Sequence, residues 1–125
     1  MIVTIGYVLA GIIAAAIIFL GARFLLAPRV ASVGYGVLAD VDQPATHAYL
    51  SVKGIRDIAS GLLVVVVMIA GTTHLLGWII LTATIIPLGD AAIVLRSGGA
   101  KSIAYGVHGA TAAVMLVTTA LLLFS

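Results

Sequence analysis

The sequence predicts an all-α integral membrane protein, folded as a four-helix transmembrane bundle. Hydrophobic residues make up 63% of the 125-residue chain and charged residues 8%, and the mean hydropathy is +1.33. A helix needs about 20 apolar residues to cross the hydrocarbon core of a bilayer, and the chain has room for four such segments and little else. A soluble bundle would need a polar stripe along each helix, and the polar residues are too few to supply one.

Composition and motifs also exclude several classes of partner and cofactor. The net charge is only +2, without a cluster of Lys and Arg interleaved with aromatic residues, so no nucleic-acid partner is expected. The absence of cysteine excludes disulfides and thiolate-bound metal. The sequence contains no metal-binding motif, P-loop or dinucleotide fingerprint, so neither a metal nor a cofactor is expected. Membrane lipid is the partner that this composition indicates.

Helix-start and helix-stop residues divide the chain, read as a single domain spanning residues 1–125, into four helices. The first ends before Pro28, and it is a retained span because it lacks the basic start and short apolar core of a signal peptide. Pro44 suits the first turn of the second helix, and Gly71 suits its end. Pro87 is expected to break the third helix near its end. The predicted helices are about 2–26, 44–70, 75–95 and 102–124.

The connector from Pro28 to Pro44 is the long loop of this arrangement and is rich in Gly and Val. Its part from Val30 to Leu38 is too apolar to be well solvated. We therefore expect an interfacial loop, or one folded under the bundle, and a lid is the alternative.

Basic residues predict the orientation. They flank the first and third loops, whereas the amino terminus, the second loop and the carboxyl terminus carry none. The positive-inside rule therefore predicts cytoplasmic first and third loops and both termini outside, in a bacterial inner (plasma) membrane. The flanking residues are Arg23, Arg29, Lys53, Arg96 and Lys101.

Ionisable residues inside the apolar segments are the main functional feature, because charge in hydrocarbon is costly and usually marks a pathway or a ligand site. At 1.5 Å of rise per residue, Asp57, Asp90 and His108 lie about 21, 22 and 25 Å from the outer ends of their helices. Arg56 lies beside Asp57. Three helices therefore place ionisable groups in one layer, in the cytoplasmic third of the membrane.

Helical spacing predicts which side chains share this layer. Lys53, Arg56, Asp57 and Ser60 follow one stripe of the second helix, and Tyr105 and His108 are three residues apart on the fourth. The set predicts catalytic roles for Asp57, Asp90 and His108, and ligand-binding roles for Arg56, Lys53, Ser60 and Tyr105. We expect an ion pair between Arg56 and Asp57 or Asp90.

The layer holds one fixed cation against two carboxylates, and an unpaired buried carboxylate takes up a proton or finds a partner. Either His108 is protonated, or Lys53 or Arg23 reaches down to pair, or one Asp is neutral.

Three functions fit this layer. The first is a site that binds a lipophilic small molecule and has the side chains for acid–base chemistry on it, so that whether the protein is an enzyme stays open. The second is a proton- or ion-coupled transporter, which would need a homo-oligomer because four short helices leave little room for two gates. The third is a non-catalytic accessory subunit whose ion pairs hold the bundle together. A cavity beside the polar layer would favour the first, and a close-packed layer the third.

Two segments carry a resemblance to a known family: residues 53–61, KGIRDIASG, and residues 86–90, IPLGD. With the four-helix layout they resemble a family of small bacterial and fungal membrane proteins classed as a domain of unknown function, which is similar to the broader DoxX-like four-helix group. The resemblance covers nearly the whole chain. It implies that Arg56, Asp57, Pro87 and Asp90 are characteristic positions, and that relatives include accessory subunits of membrane redox systems.

Overall fold

The computed structural model describes residues 1–37 and 40–125, and within them the chain forms helices and no strand. The all-α prediction is confirmed. Three spans, Ile2–Leu26, Thr73–Arg96 and Lys101–Leu123, are long and apolar enough to cross a membrane. A further long helix, of 27 residues, carries three charged residues in its middle. The helices are α1 (Ile2–Leu26), α2 (Pro28–Tyr35), α3 (Pro44–Ala70), α4 (Thr73–Ala83), α5 (Ile85–Arg96) and α6 (Lys101–Leu123).

Small residues hold α1 and α3 at very close range. A Cβ added to Gly21 would lie 2.6 Å from the carbonyl oxygen of Gly54, and one added to Gly61 would lie 2.8 Å from the carbonyl oxygen of Ala14. Such positions let two backbones touch in lipid, where van der Waals packing is the main attraction between helices. The close approach brings Phe24, near the end of α1, against Lys53 on α3.

The apolar core lies between α1, α3, α4 and α6, away from the connector. α6 packs along both α4 and α1, and Leu76, Ile80 and Leu122 are fully buried there. Buried polar residues on α6 do not disturb this core, because Thr118 and Thr119 donate their hydroxyl hydrogens to carbonyls one turn earlier in their own helix.

The connector departs from the expected loop. Pro28 stands in the first turn of α2, where its missing N–H is not needed. Gly36, in the left-handed conformation with φ of 97°, ends this helix. The Ser32 hydroxyl donates to the carbonyl of Val37 at 2.9 Å and holds the chain leaving it. The expectation of an irregular loop is therefore wrong for residues 28–35. Leu38, the end of the apolar stretch, and its neighbour Ala39 lie outside the described residues.

The third span is interrupted earlier than predicted. The break falls at Thr84, between α4 and α5, rather than at Pro87. A proline inside a helix clashes with the turn before it and cannot donate to the carbonyl four residues back, so the distortion appears three residues upstream of the ring. The Ile80 carbonyl beside the break accepts twice from Thr84, from its backbone N–H at 3.0 Å and from its hydroxyl at 2.9 Å.

Candidate functional site

A cavity of about 640 Å³ lies within the bundle and is lined by all six helices. Its wall is mostly aliphatic, with residues such as Ile13, Val64 and Ile80. The polar side chains that line it are Arg23, Tyr35, Lys53, Asp57, Ser60, Asp90, His108 and Thr111. Contacts among these side chains, described next, form two connected groups beside α2.

The first group is a ring of contacts among Tyr35, Asp90 and His108. The Tyr35 hydroxyl donates a hydrogen bond to Oδ1 of Asp90. His108 Nε2 donates to the backbone carbonyl of Tyr35 at 2.8 Å, and its Nδ1 lies 3.9 Å from Oδ2 of Asp90. The Tyr35 and His108 rings meet edge to face, with centroids 4.7 Å apart. One residue of α2 thus holds both partners from α5 and α6.

This ring of contacts leaves one proton position open. A carbonyl oxygen only accepts, so the hydrogen of a neutral His108 sits on Nε2 and Nδ1 has a lone pair. That lone pair then faces Oδ2 of Asp90, also an acceptor, across 3.9 Å. The pair is satisfied by a proton on Nδ1, by a proton on Asp90, or by a hydrogen-bond donor from a bound molecule. An atom beside the line between them can lie about 2.8 Å from both.

The Tyr35 hydroxyl is a permanent donor in this group. Burial, and then the hydrogen bond to Asp90, raise the pKa of Tyr35 well above its usual value. The hydroxyl therefore keeps its proton, and Asp90 Oδ1 stays occupied as an acceptor while Oδ2 faces His108.

The end of α2 explains why the Tyr35 carbonyl is available. The last carbonyls of a helix have no partner within it, and Tyr35 is the final residue of α2. Gly36 turns the chain away immediately afterwards, and a Cβ there would lie 2.8 Å from the side chain of Ile103. The carbonyl is thus left facing α6, where His108 donates to it.

A π-helical segment, Ala104–Gly109, sets the direction of His108 on α6. Its wider turns change the angle between successive side chains, and such segments are frequent at functional sites. His108 is buried, whereas Tyr105 is 64% exposed and does not line the cavity. The expectation that Tyr105 shares the face of His108 is therefore wrong, because it assumed regular α-helical spacing.

The second group is an ion pair within α3. Lys53 Nζ lies 2.6 Å from Oδ2 of Asp57, one turn apart on the same face. The ammonium also lies 4.5 Å from the ring centroid of Phe24 and 4.7 Å from that of Tyr35. A cation over aromatic faces is stabilised by their quadrupoles. The contact with Tyr35 joins this ion pair to the first group.

Arg56 does not form the expected ion pair. Among the described residues no carboxylate lies within 4.0 Å of its guanidinium, and Lys53 takes the place beside Asp57. Successive residues point about 100° apart around a helix, so when Asp57 faces the cavity, Arg56 turns outward and is exposed. The predicted pairing with Asp57 or Asp90 is wrong, and the alternative in which Lys53 pairs is the one observed.

The structure therefore brings Lys53, Asp57, Ser60, Asp90 and His108 to one cavity and leaves Arg56 and Tyr105 outside it. Tyr35 is the site residue that sequence reasoning missed. The signal for it was present, because an apolar stretch opened by a proline and closed by a glycine can form a short helix that packs one face on the bundle.

Within the described residues, no group of three or more His, Asp, Glu or Cys side chains comes together that could hold a metal ion.

Comparison with known proteins gives a family and no function. No curated protein matches the chain, and no solved structure matches it. The similarity to the DoxX-like group stays a prediction. One family model matches residues 14–122, which include α2 to α5, most of α6, the second half of α1 and both segments that carry the resemblance. The chain belongs to the family described as Domain of unknown function (DUF4267).

Proposed function

We propose that this chain is a four-helix membrane protein that binds a lipophilic small molecule in the central cavity. In this proposal α3 is the fourth span, since its buried Asp57 is neutralised by Lys53 rather than left bare in hydrocarbon. Both termini lie outside a bacterial inner membrane, and α2 closes the cavity on the cytoplasmic side. The molecule's apolar part lies along the aliphatic wall, and its polar group meets Asp90 and His108.

The observation that carries this proposal is the shape and chemistry of the cavity. Sites for small molecules are concave, mostly apolar, and contain a few polar groups that fix the orientation of the ligand. The 640 Å³ cavity combines an aliphatic wall with the Tyr35–Asp90–His108 group. The unsatisfied position between His108 Nδ1 and Asp90 Oδ2 supplies a place for a hydrogen-bond donor.

Asp90 and His108 are also of the residue types that transfer protons. Asp90 and His108 share one proton position, so Asp90 serves as acceptor and His108 as relay or orienting group for a bound molecule. The ion pair of Lys53 and Asp57 lines the cavity beside them, and Ser60 lies on the same wall. Binding is the function proposed; turnover would also require that the proton taken from one atom of the ligand be returned to another atom of it.

The other two functions find less support. A transporter needs a polar path, but the polar threonines beyond the cavity donate to their own helix and the core there is aliphatic. An accessory subunit held by ion pairs needs a close-packed polar layer, and this layer opens onto a cavity instead.

Filling the cavity tests the proposal. A Cβ at Gly34 or Gly106 would meet nothing within 4 Å, and both residues line the cavity, so leucine is accommodated there. The probe is cis-parinaric acid, a fluorescent polyene acid that accepts energy from Trp78, the single tryptophan of the chain. Energy transfer from the detergent-solubilised protein to the probe should be saturable. The probe concentration that gives half-saturation should rise at least tenfold in Gly106→Leu and in Gly34→Leu.

The matched control is Gly89→Leu. Gly89 also has open space around its Cβ position but lines neither this cavity nor the groove described below. It should bind the probe as the wild type does. Equal binding by all four proteins, or the absence of a saturable signal in the wild type, would refute the central site.

A further inference from the structure

A second concavity, the lateral groove, lies on the outside of the bundle between α3 and α5. Its volume is about 600 Å³. α3 packs along α1 and α5 packs on the π-helical part of α6, and α3 and α5 themselves hardly touch. Side chains rather than packed backbones therefore separate the lateral groove from the central cavity. The residues that line both are Lys53, Asp57, Ser60, Ile86 and Asp90.

Arg56 is a cation in the lateral groove without a carboxylate partner among the residues that the structure describes. Lys53 is paired with Asp57 at 2.6 Å. Asp90 accepts from Tyr35 and faces His108. Arg56 lines the groove, and among residues 1–37 and 40–125 no carboxylate lies within 4.0 Å of it. A guanidinium presents forked N–H donors that fit an oxyanion with two oxygens.

Asp90 places a second requirement on any ligand head group that binds Arg56. It lines the groove as well as the cavity, and a fully ionised oxyanion beside it would be repelled. A head group that keeps one O–H satisfies both residues, since its anionic oxygens accept from Arg56 and its O–H donates to Asp90. A phosphate monoester has this combination when it binds in its singly charged form. Its second pKa lies near 6, so most of it is doubly charged at pH 7, but taking up the one proton that Asp90 requires costs little free energy.

We propose that the ligand is a single-chain phosphate monoester taken up sideways from the surrounding leaflet. Its head group lies between Arg56 and Asp90 in the lateral groove, and its chain passes Ser60 and Ile86 into the central cavity. The inference rests on the proposed function for the position of the ligand's alkyl chain in the central cavity. It adds the chemistry of the ligand's head group and the route by which the ligand enters.

Displacement of cis-parinaric acid from the wild-type protein tests the head group. Decyl phosphate should displace the probe at concentrations about 10- to 100-fold lower than decanol, as expected for a hydrogen-bonded charge. Decyl methyl phosphate, which has the charge but no O–H, should fall between them, and inorganic phosphate should not displace the probe. Arg56→Gln should remove the advantage of decyl phosphate over decanol, and Arg56→Lys should restore part of it.

The route is tested by cysteine protection, because the chain has no cysteine of its own. Ser60→Cys should react with a maleimide more slowly when decyl phosphate is bound. Val66→Cys, exposed on the same helix and outside both concavities, should react at an unchanged rate.

Each failure has a distinct meaning. Equal displacement by decyl phosphate and decanol, with the probe still lost in Gly106→Leu, overturns the phosphate inference and leaves the central site standing. Displacement by inorganic phosphate, or a Ser60→Cys rate that decyl phosphate leaves unchanged, overturns the route through the groove. A probe signal that Gly106→Leu leaves intact overturns the central site itself.

Discussion

Asp90→Asn separates a ligand site from a structural ion-pair layer. Asparagine keeps the volume of Asp90 and an acceptor for the Tyr35 hydroxyl, so the contact that holds α2 to α5 is retained. The charge that faces His108 across 3.9 Å is lost. A hydrogen bond to a charged group is worth about 1.5–3 kcal/mol, against about 1 kcal/mol for a neutral one. The substitution should therefore cost about 0.5–2 kcal/mol of unfolding free energy.

The effect on binding should be larger than the effect on stability. The bound molecule loses its charged acceptor, and the amide N–H₂ of asparagine adds a donor where the ligand presents one. We expect the Kd of decyl phosphate, measured by displacement of the polyene probe, to rise at least 30-fold, which corresponds to about 2 kcal/mol. Unfolding in mixed micelles of sodium dodecyl sulfate and dodecyl maltoside, and energy transfer from Trp78, measure both quantities on the same preparations.

The structural alternative predicts the reverse order. Breaking a buried ion pair costs about 3–5 kcal/mol of stability, with no affinity to lose. Destabilisation of that size, together with an unchanged Kd, would refute the functional argument. Asp42→Asn is the matched control, because Asp42 pairs with Arg29 at 2.8 Å and both side chains are more than two-thirds exposed. A surface pair contributes about 0–1 kcal/mol, so neither stability nor binding should change appreciably.

Three further outcomes follow from the fold. Tyr35→Phe should lower the unfolding free energy in the same micelles by about 1–2 kcal/mol, the upper end of interhelical hydrogen bonds in membranes; an unchanged value would mean that the bond to its carboxylate partner adds nothing. Gly54→Val should cost about 3 kcal/mol or more by pushing α1 from α3, because its Cβ would lie 2.6 Å from the Gly21 carbonyl oxygen, and a melting temperature equal to wild type would contradict this. In intact cells a membrane-impermeant maleimide should label Thr73→Cys but not Asp40→Cys; labelling of the latter from outside would reverse the orientation.

Regular periodicity and chain-breaking residues predicted much of the fold. Apolar runs of membrane length predicted an all-α chain, and counting residues along each helix indicated that Asp57, Asp90 and His108 lie in one layer. Both predictions need only the constant rise of an α-helix and the cost of polar groups in hydrocarbon. They work where the backbone is regular.

Two parts of the site could not be predicted from the sequence. One depends on an irregular stretch of backbone, and the other on which of two nearby basic residues pairs with Asp57. The π-helical turn turned Tyr105 away while His108 stayed inside, and nothing in the sequence indicates such a turn. Whether Lys53 or Arg56 would pair with Asp57 depends on which face of α3 meets α1, and this is determined by backbone contact at Gly21 and Gly54. Both are tertiary effects.

Tyr35 forms hydrogen bonds to both Asp90 and His108. Its hydroxyl donates to Asp90, and its backbone carbonyl accepts from His108. A shift of α2 therefore changes the surroundings of both groups together, and with them the free energy of placing a proton between them. Thermodynamic reciprocity then requires the converse, that placing or removing this proton changes the free energy of shifting α2 by the same amount. Any movement of α2 would therefore be coupled to the position of a proton between Asp90 and His108.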